Sequence, residues 1–364
     1  MRVKLEDVCE RGTSSLMQKD IVDKNGKYPV YGASGRIGSM ETYQQEHQTV
    51  AVVKDGAGIG RTMLLPEKSS VIGTMQYLIP KNCIESEYLY YVVKYMHLEK
   101  YFSGATIPHI YFRDYKTEEF NLHDKTEQRE IVSTLKRIEA IISNRQEQLA
   151  KLDELIKARF VEMFGDPIAN SMGWEEVQLS GCLESIDNGK SYVCDTSCRK
   201  GESPAILKLS AVTYGDYRPD ENKAMLDEAY FSKDITVQSG DLLFTRKNTP
   251  ELVGMCAYVY KTPANLMLPD LIFRLNTKPL CNKIYLWKLI NHELFRKQIQ
   301  ALSSGSAKSM SNISKERLLH LSVILPPLSL QNQFADFVAE VDKSKLLAEL
   351  FAQNACILAE NRSK

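Results

Sequence analysis

Residues 125–165 constrain the fold of this chain more than any other stretch of its sequence. Apolar residues recur there mostly at steps of three and four, the 3.5-residue period of helices that pack lengthwise on a partner helix. The repeating positions are Ile131, Leu135, Ile138, Ile142, Leu149, Leu152, Ile156, Phe160 and Met163, and Arg145 takes the position missing from the series. At about 1.5 Å per residue, roughly forty helical residues extend about 60 Å. No single globular domain needs such a helix, so we predict a spacer between two domains.

The chain repeats itself on either side of that stretch. Gly165 and Pro167 are expected to end the helix, because glycine suits the C-terminal position of a helix and proline cannot continue one. Residues 3–9 resemble residues 177–183, and residues 120–128 align without a gap with residues 323–331. Helical periodicity over residues 85–101 recurs over residues 286–300. We therefore predict two copies of one globular unit, each followed by a long helix.

The second long helix is predicted to pack against the first in an antiparallel arrangement. Alanines recur along it at positions equivalent to Arg145, Leu149, Leu152 and Ile156, and small residues let a bulkier helix approach closely. The predicted interface consists of Leu135, Ile142, Leu149, Leu152, Ile156, Ala348, Ala352, Ala355 and Ala359. In the alternative arrangement, each long helix packs only on its own globular unit.

Together these features predict an α+β fold with a pseudo-twofold repeat. Two globular, strand-rich α/β domains are separated by two long, antiparallel, coiled-coil-like helices. The predicted boundaries are residues 1–123 for the first domain, 124–165 for the central spacer helix, 166–326 for the second domain and 327–364 for the C-terminal spacer helix.

Composition limits the classes of function. The 46 basic and 46 acidic residues give zero net charge, whereas nucleic-acid binders usually carry a basic excess, so a DNA-binding surface would need basic side chains sorted onto one face. The eight cysteines are dispersed, which indicates reduced thiols, and no spacing of cysteine and histidine predicts a metal site. Because no apolar run reaches the length of a membrane span and no signal core begins the chain, we predict a cytoplasmic protein.

No catalytic motif is complete. Residues 52–60 read as a strand followed by GxGxG, but a second strand and Pro66 stand where a phosphate-binding helix should begin. The sequence Gly189-Lys190-Ser191 resembles the end of a P-loop, yet Glu184 replaces the leading glycine. We predict that this chain is not an enzyme by itself and holds neither cofactor nor metal.

Several segments, in their order along the chain, resemble the specificity subunit of a type I restriction-modification system. They are YPVYGASG (28–35), KDGAGIGR (54–61), TEQ (126–128), MFGDP (163–167) with GW (173–174), GDLLFTR (240–246) and LPPL (325–328). Each motif is weak alone, but the duplicated order covers essentially the whole chain. The family enters each long helix through Pro-Pro-Leu-x-Glu-Gln, and this chain departs from that pattern at residues 123–125 and at Leu330.

The resemblance implies two target recognition domains, each reading one half of a bipartite double-stranded DNA site. The paired helices would set the spacing of the half-sites and dock adenine methyltransferase subunits, and a separate restriction and translocase subunit would complete the complex. S-adenosylmethionine, ATP and Mg would belong to those partners and not to this non-catalytic chain. An alternative is a coiled-coil scaffold or regulatory DNA-binding protein unconnected with DNA methylation, which the zero net charge favours.

Base readout requires polar or cationic side chains on loops that reach a groove, and phosphate contacts require Lys, Arg or open backbone amides. In the first domain the predicted DNA contacts are Tyr31, Ser34, Arg36, Lys54, Arg61, Thr106 and His109. In the second domain they are Lys208, Thr245, Arg246, Lys247, Asn248, Ser306, Lys308 and Ser309. For each residue the alternative is a solvated loop side chain. The tyrosines within residues 88–101 fit a helix core better than base stacking.

Overall fold

The computed structural model describes residues 1–21, 26–104, 107–303 and 310–363, with side chains described as far as residue 346. The chain divides into two compact units. We call residues 1–148 with 347–364 the first unit, and residues 149–346 the second unit.

The first unit is built from short strands and helices that precede one long helix. In chain order these are β1 (Arg2–Lys4), α1 (Leu5–Val8), β2 (Cys9–Thr13), β3 (Tyr28–Gly32), β4 (Gly35–Met40), β5 (Thr49–Val53), β6 (Thr62–Leu65), β7 (Ser70–Val71), β8 (Met75–Pro80), α2 (Ser86–Tyr95), α3 (Phe112–Tyr115), β9 (Glu119–Asn121) and α4 (Lys125–Phe164).

The second unit follows the same plan. Its elements are β10 (Glu175–Gln178), α5 (Leu179–Cys182), β11 (Leu183–Asn188), β12 (Ala205–Leu207), β13 (Asn222–Ala224), β14 (Leu242–Thr245), β15 (Lys247–Asn248), β16 (Cys256–Tyr258), β17 (Leu266–Met267), β18 (Ile272–Thr277), α6 (Lys283–Asn291), α7 (Glu293–Ala301), β19 (Ser311–Asn312), α8 (Lys315–Leu319), β20 (Ser322–Leu325) and α9 (Leu328–Ser363).

The sheets confirm the predicted repeat, with the two-stranded sheet β15-β19 as an addition in the second unit. The first unit has a four-stranded sheet in the order β2-β8-β5-β6, and the second unit has β11-β18-β14-β16. A three-stranded sheet β4-β3-β7 corresponds to β13-β12-β17, and in each the second pair is parallel. The pair β1-β9 likewise corresponds to β10-β20. In each four-stranded sheet the strand that is buried along its whole length, β5 or β14, is an inner strand.

The two predicted domain helices are each interrupted. The predicted helix over residues 85–101 forms as α2 and a 3-10 turn at Leu98–Tyr101, because His97 adopts a left-handed conformation with φ 52°. The predicted helix over residues 286–300 forms as α6 and α7, because His292 between them is extended. The tyrosines of α2 that were assigned to the core do lie there, Tyr88 and Tyr91 being buried.

The long helix α4 has the bounds expected from the sequence, and Gly165 follows it at φ 75°, where glycine carries no steric penalty. Its first part packs on the core of the first unit, in which Val132 and Leu135 are buried. Leu135 therefore contacts its own globular unit, as in the alternative arrangement. The half-buried Ile142 and Leu149 lie further along α4.

In the second unit, the last part of α4 packs against the first part of α9. The ring centroid of Phe160 lies 5.5 Å from that of Phe334, and Arg159 lies over the ring of Phe337 with its Cζ 5.8 Å from the centroid. About two turns before Phe160 in α4, Asp153 pairs with Lys345 at 2.5 Å. Residue numbers fall along α4 as they rise along α9, so the two helices are antiparallel here.

The predicted interface residues of this region fall into two groups. Ile156 is buried in the core of the second unit, and Leu152 packs against that core. Ala348, Ala352, Ala355 and Ala359 lie in α9 beyond residue 346, outside the described side chains. Their helical pairing remains a prediction.

A buried glutamine lies in the first turn of each long helix, and the two glutamines make equivalent hydrogen bonds. Gln128 and Gln331 are both 0% exposed. The Oε1 atom of Gln128 accepts a hydrogen bond from the backbone N–H of Glu85 (2.8 Å), and Oε1 of Gln331 accepts one from that of Asn282 (2.8 Å). Each Nε2 donates to two backbone carbonyls, those of Cys83 and His123 for Gln128 and those of Leu280 and Pro326 for Gln331.

The glutamine explains why the departures from the family's helix-entry pattern leave the fold intact. Leu330, which stands where that pattern has glutamate, packs against the core of the second unit. In the first unit Glu127 stays exposed and pairs with His123 at 3.2 Å. The buried hydrogen bonds belong to the glutamine, so a neighbouring carboxylate is not needed for them.

Within the described part of the chain, no helix combines the length and apolar character needed to cross a membrane. The seven cysteines described there are free thiols.

Candidate nucleic-acid interface

Three segments of the first unit meet at one end of its four-stranded sheet. We call residues 33–36, 54–61 and 107–113 the first loop cluster. The strand β5 ends at Val53, and the chain turns back so that the N–H of Gly60 donates to the carbonyl of Val53 (2.9 Å) and the N–H of Val53 to that of Arg61 (2.9 Å). Gly60 has φ 81°, and a Cβ there would lie 2.7 Å from the backbone nitrogen of Glu99. Only glycine fits this turn without displacing its neighbour.

Arg61 fastens this turn to the β3–β4 hairpin. Its Nη1 donates to the backbone carbonyl of Ala33 at 2.7 Å. Ser34 and Arg36, which flank the tip of the hairpin, are exposed. The structure therefore brings three of the predicted DNA contacts, Ser34, Arg36 and Arg61, onto one surface. Tyr31 is half-buried and packs against the apolar cluster beneath.

Lys54 and His109 are brought together through a carboxylate that the sequence analysis did not single out. Asp55 pairs with Lys54 Nζ at 3.1 Å and with His109 Nδ1 at 2.7 Å. The backbone holds the two segments in register, since the N–H of Ile110 donates to the carbonyl of Lys54 (2.9 Å) and that of Gly56 to Pro108 (2.9 Å).

Tyr111 and Arg113 extend this surface. The ring of Tyr111 stacks on His109 with 6.2 Å between the centroids and 21° between the planes. The guanidinium of Arg113 lies over the ring of Tyr111, with its Cζ 4.7 Å from the centroid. Both side chains are exposed. Sequence reasoning missed both residues, and the one signal for them was the placement of His109, Tyr111 and Arg113 at every second position.

The second unit builds an equivalent surface. We call residues 208–221, 246–255 and 310–315 the second loop cluster. The N–H of Gly254 donates to the carbonyl of Thr245 (2.8 Å) and the N–H of Thr245 to that of Met255 (2.8 Å), which repeats the turn of Val53, Gly60 and Arg61. The N–H of Ile313 donates to the carbonyl of Arg246 (2.8 Å), as that of Ile110 does to Lys54. Arg246 therefore occupies the position of Lys54.

Arg246 is held by a residue that the sequence analysis missed. Its Nε and Nη2 donate to Oδ1 of Asn312 at 3.3 and 3.1 Å. Its Cζ lies 5.1 Å from the ring centroid of Phe273. Asn312 belongs to β19, which pairs with β15, and this two-residue pairing is too short to be read from sequence periodicity.

Two residues predicted to contact DNA prove to be internal. Thr245 is 0% exposed, and its hydroxyl is engaged with the backbone of Leu252 and Met255. Asn248 is 6% exposed and donates from Nδ2 to the hydroxyl of Thr213 at 3.1 Å. Both side chains support the loops from within, because their polar atoms pair with neighbouring loop segments. A direct contact of either with DNA does not fit this placement.

The remaining predicted contacts of the two units are half-buried or lie outside the described residues. Lys247 is half-buried next to Arg246, and Lys208 approaches Glu221 at 4.0 Å. Thr106, Ser306, Lys308 and Ser309 lie outside the described residues, so their roles remain predictions.

Within the described residues, no group of three or more His, Cys, Asp or Glu side chains is arranged to hold a metal ion. The two loop clusters instead present arginine, lysine, histidine and serine side chains on fixed backbone turns. Such side chains can donate hydrogen bonds to base edges or phosphates.

The fold and its clusters define a duplicated α+β protein that presents one polar loop surface per copy. The family described as the type I restriction modification DNA specificity domain matches residues 1–154 and 172–352. The chain belongs to this family.

Named relatives agree. The type I restriction enzyme EcoEI specificity subunit of Escherichia coli is 29% identical over 236 residues, which is 62% of this chain and 39% of that subunit. The match thus spans well under half the length of that relative. The MjaVIII specificity subunit of Methanocaldococcus jannaschii is 24% identical over 314 residues, 80% of this chain and 72% of that subunit.

Solved structures share the fold. The S subunit of a type I restriction-modification system from M. genitalium superposes with a TM-score of 0.61 at 14% identity, covering 100% of this chain and 95% of that one. A chain from a structure of the assembly and conformational transition of the type I R-M system gives a TM-score of 0.54 at 15% identity, covering 100% and 96%.

Proposed function

We propose that this chain is the DNA sequence-specificity subunit of a type I restriction-modification complex, and that each unit reads one half of a bipartite double-stranded DNA site. The observation that carries the proposal is the matched placement of Lys54 and Arg246. Each follows the buried central strand of its unit, and each is held by a backbone hydrogen bond from the segment that leads to a final short helix. One backbone frame thus presents a cation at the same place in both copies.

The side chains around these cations suit DNA recognition. Arginine and lysine donate to guanine O6 and N7 or to phosphates, and serine or histidine can add further base or backbone contacts. Zero net charge over the whole chain does not oppose this function, because the first loop cluster holds four Lys and Arg residues and one Asp. The second loop cluster holds five Lys and Arg residues and four Asp and Glu residues, so its case depends on the adjacent Arg246 and Lys247 and not on an overall basic excess. Two such surfaces on one chain fit a site made of two half-sites.

The long helices are proposed to set the spacing of the half-sites and to dock methyltransferase subunits. The 40 residues of α4 correspond to about 60 Å of helix. Ile141, Leu155 and Val161 are large apolar residues of α4 that remain 44–47% exposed in this chain. Exposed apolar side chains along a helix suit a partner that packs lengthwise.

The same proposal assigns the chemistry to other chains. An adenine methyltransferase would supply S-adenosylmethionine, and a restriction and translocase subunit would use ATP and Mg. This chain would choose the sequence and act without catalysis in the cytoplasm.

The test is to produce the chain together with its adenine methyltransferase in a host and to map methylated adenines across the host DNA. The proposal expects one bipartite motif with a fixed gap, and expects no such motif from the methyltransferase alone. A motif that the methyltransferase writes equally well without this chain would contradict the proposal.

A further inference from the structure

The side chain of Arg246 is more constrained than that of an ordinary surface arginine. It is half-buried, its backbone N–H donates to Leu271 (3.0 Å) and its carbonyl accepts from Ile313 (2.8 Å). Asn312 accepts hydrogen bonds from the Nε edge of the guanidinium, and the guanidinium lies over the ring of Phe273 with its Cζ 5.1 Å from the centroid. Little conformational freedom remains for the side chain to lose on binding.

Among the residues that the structure describes, the guanidinium of Arg246 donates only to Asn312, which leaves a defined part of it without a hydrogen-bond partner. Of its five N–H donors, one on Nε and one on Nη2 point to the Oδ1 of Asn312. The remaining donors lie at the Nη1 and Nη2 end, where two parallel N–H groups form the fork that matches two acceptors. Arginine uses this fork for the O6 and N7 acceptors of guanine in the major groove.

The charge of Arg246 is also not cancelled locally. Among the described residues no carboxylate forms an ion pair with it, in contrast to Arg274, which pairs with Asp241 at 3.0 Å and approaches Asp187 at 3.7 Å. Arg274 is therefore a structural arginine, whereas Arg246 keeps its charge for a ligand.

We infer that Asn312 orients Arg246 so that the second unit reads a guanine in its half-site. This inference rests on the proposed function and names the base class that the second unit selects. Asn312 acts as a positioning residue, because it contacts the reading side chain and fixes which edge of the guanidinium is presented. A phosphate can also accept both N–H groups of the fork, but it carries no sequence information, so base preference separates the two ligands.

The experiment enriches a pool of randomised double-stranded oligonucleotides on the full-length chain and compares the selected motifs of four proteins: the unchanged chain, Arg246→Ala, Asn312→Leu and Asn312→Asp. Leucine removes the acceptor at similar size. Aspartate keeps an oxygen acceptor in the same place but adds a negative charge that lowers affinity for all sequences, so the variants are compared by base preference and not by affinity. The half-site selected by the first unit serves as an internal control for folding, since it must persist in every variant.

The inference expects a guanine at one position of one half-site, with a preference that falls about tenfold in Arg246→Ala and in Asn312→Leu but is retained in Asn312→Asp. A guanine preference that survives Asn312→Leu would overturn it, as would equal losses in the leucine and aspartate variants. Affinity that falls equally for all sequences in Arg246→Ala would show a phosphate contact and also overturn it. If the unchanged chain selects no motif, the proposed function fails and the inference fails with it.

Discussion

The two loop clusters share a backbone frame and differ in the chemistry that the frame carries. In the first, Lys54 is paired with Asp55, which also binds His109. In the second, the residue after Arg246 is Lys247, and Asn312 takes the place of His109 as the contact from the neighbouring segment. The first cluster therefore presents Lys54 with its charge partly neutralised by Asp55. The second cluster presents Arg246 in a fixed orientation beside a second cation, Lys247.

Under the proposed function, this difference would let one fold read two sequences. The turns at Gly60 and Gly254 and the hydrogen bonds from Ile110 and Ile313 use backbone atoms, so apart from the two glycines they do not depend on which side chains the loops bear. Side chains on this frame can vary without moving it. Specificity is thus separated from folding, and substitutions in the frame should have larger effects on stability than substitutions in the reading residues.

The largest effect is expected for the buried glutamines. Gln331→Leu and Gln128→Leu each leave one backbone N–H and two carbonyls without partners, which should lower the free energy of unfolding by about 3 kcal/mol. Denaturant unfolding of the full chain measures the loss, with the exposed Gln333→Leu as the control for α9. A large loss in one variant and none in the other would break the equivalence of the two units.

A smaller loss is expected at the loop glycine of the second cluster. In Gly254→Ala the new Cβ would lie 2.2 Å from Cγ2 of the fully buried Ile299, at φ 77°, and we expect a loss of about 2 kcal/mol. Gly240→Ala is the matched control, because Gly240 has φ 88° but meets no atom closer than 4.0 Å. Equal losses in thermal unfolding would show that backbone strain alone, and not packing, determines the choice of glycine.

A pH-dependent difference distinguishes the helices α2 and α6. Tyr91 of α2 donates from its hydroxyl to Glu139 at 2.7 Å. Lys288 holds the matching place in α6, and burial lowers its pKa from 10.5 to about 8. Asp342, which corresponds to Glu139, instead accepts a hydrogen bond from the hydroxyl of Tyr260 (2.7 Å) and pairs with Lys345 (3.3 Å).

Because the unfolded chain binds the Lys288 proton more tightly, this group should make stability rise as pH increases from about 8 to 10.5. Lys288→Met should remove that rise and stabilise the chain by about 1 kcal/mol at pH 7. Unfolding curves at several pH values for both proteins measure the difference. An unchanged pH slope in Lys288→Met would show that Lys288 is not desolvated in the folded chain.

The smallest effect is expected for the carboxylate of the first cluster. Asp55→Asn weakens contacts with Lys54 and His109 that are partly open to solvent, and such pairs contribute only about 0.5 kcal/mol. Asp114→Asn, which alters an exposed pair with Arg113, is the control. A loss of several kcal/mol in thermal unfolding of Asp55→Asn would mean that this carboxylate belongs to the frame and not to the reading surface.

The sequence predicted the fold well where the signal was periodic or repeated. The period of α4 gave its bounds, and the gapless match through Gln128 and Gln331 gave the duplication, because each reflects many residues at once. The breaks at His97 and His292 were missed, since a single backbone conformation leaves no periodic trace.

The reading surface was only partly predictable for a related reason. Lys54, Arg61 and Arg246 could be placed in these loops from the sequence because they flank buried strands and glycine turns, and their contact with DNA stays a prediction. Whether a polar loop residue points outward or inward depends on partners distant in sequence, so Thr245 and Asn248 were placed wrongly on the surface. Asn312 was missed because its importance comes from a contact with Arg246, 66 positions away.

We expect the two units to read different half-sites independently of each other. This expectation is tested most directly by mapping methylated adenines for Lys54→Ala and Arg246→Ala, each produced as the full chain with its methyltransferase. Each substitution should relax base preference, by about 1 to 3 kcal/mol if a base contact is lost, in one half-site only, and the two should affect opposite halves with the gap unchanged. Relaxation of the same half-site by both substitutions, or of neither half-site by either one, would contradict the account.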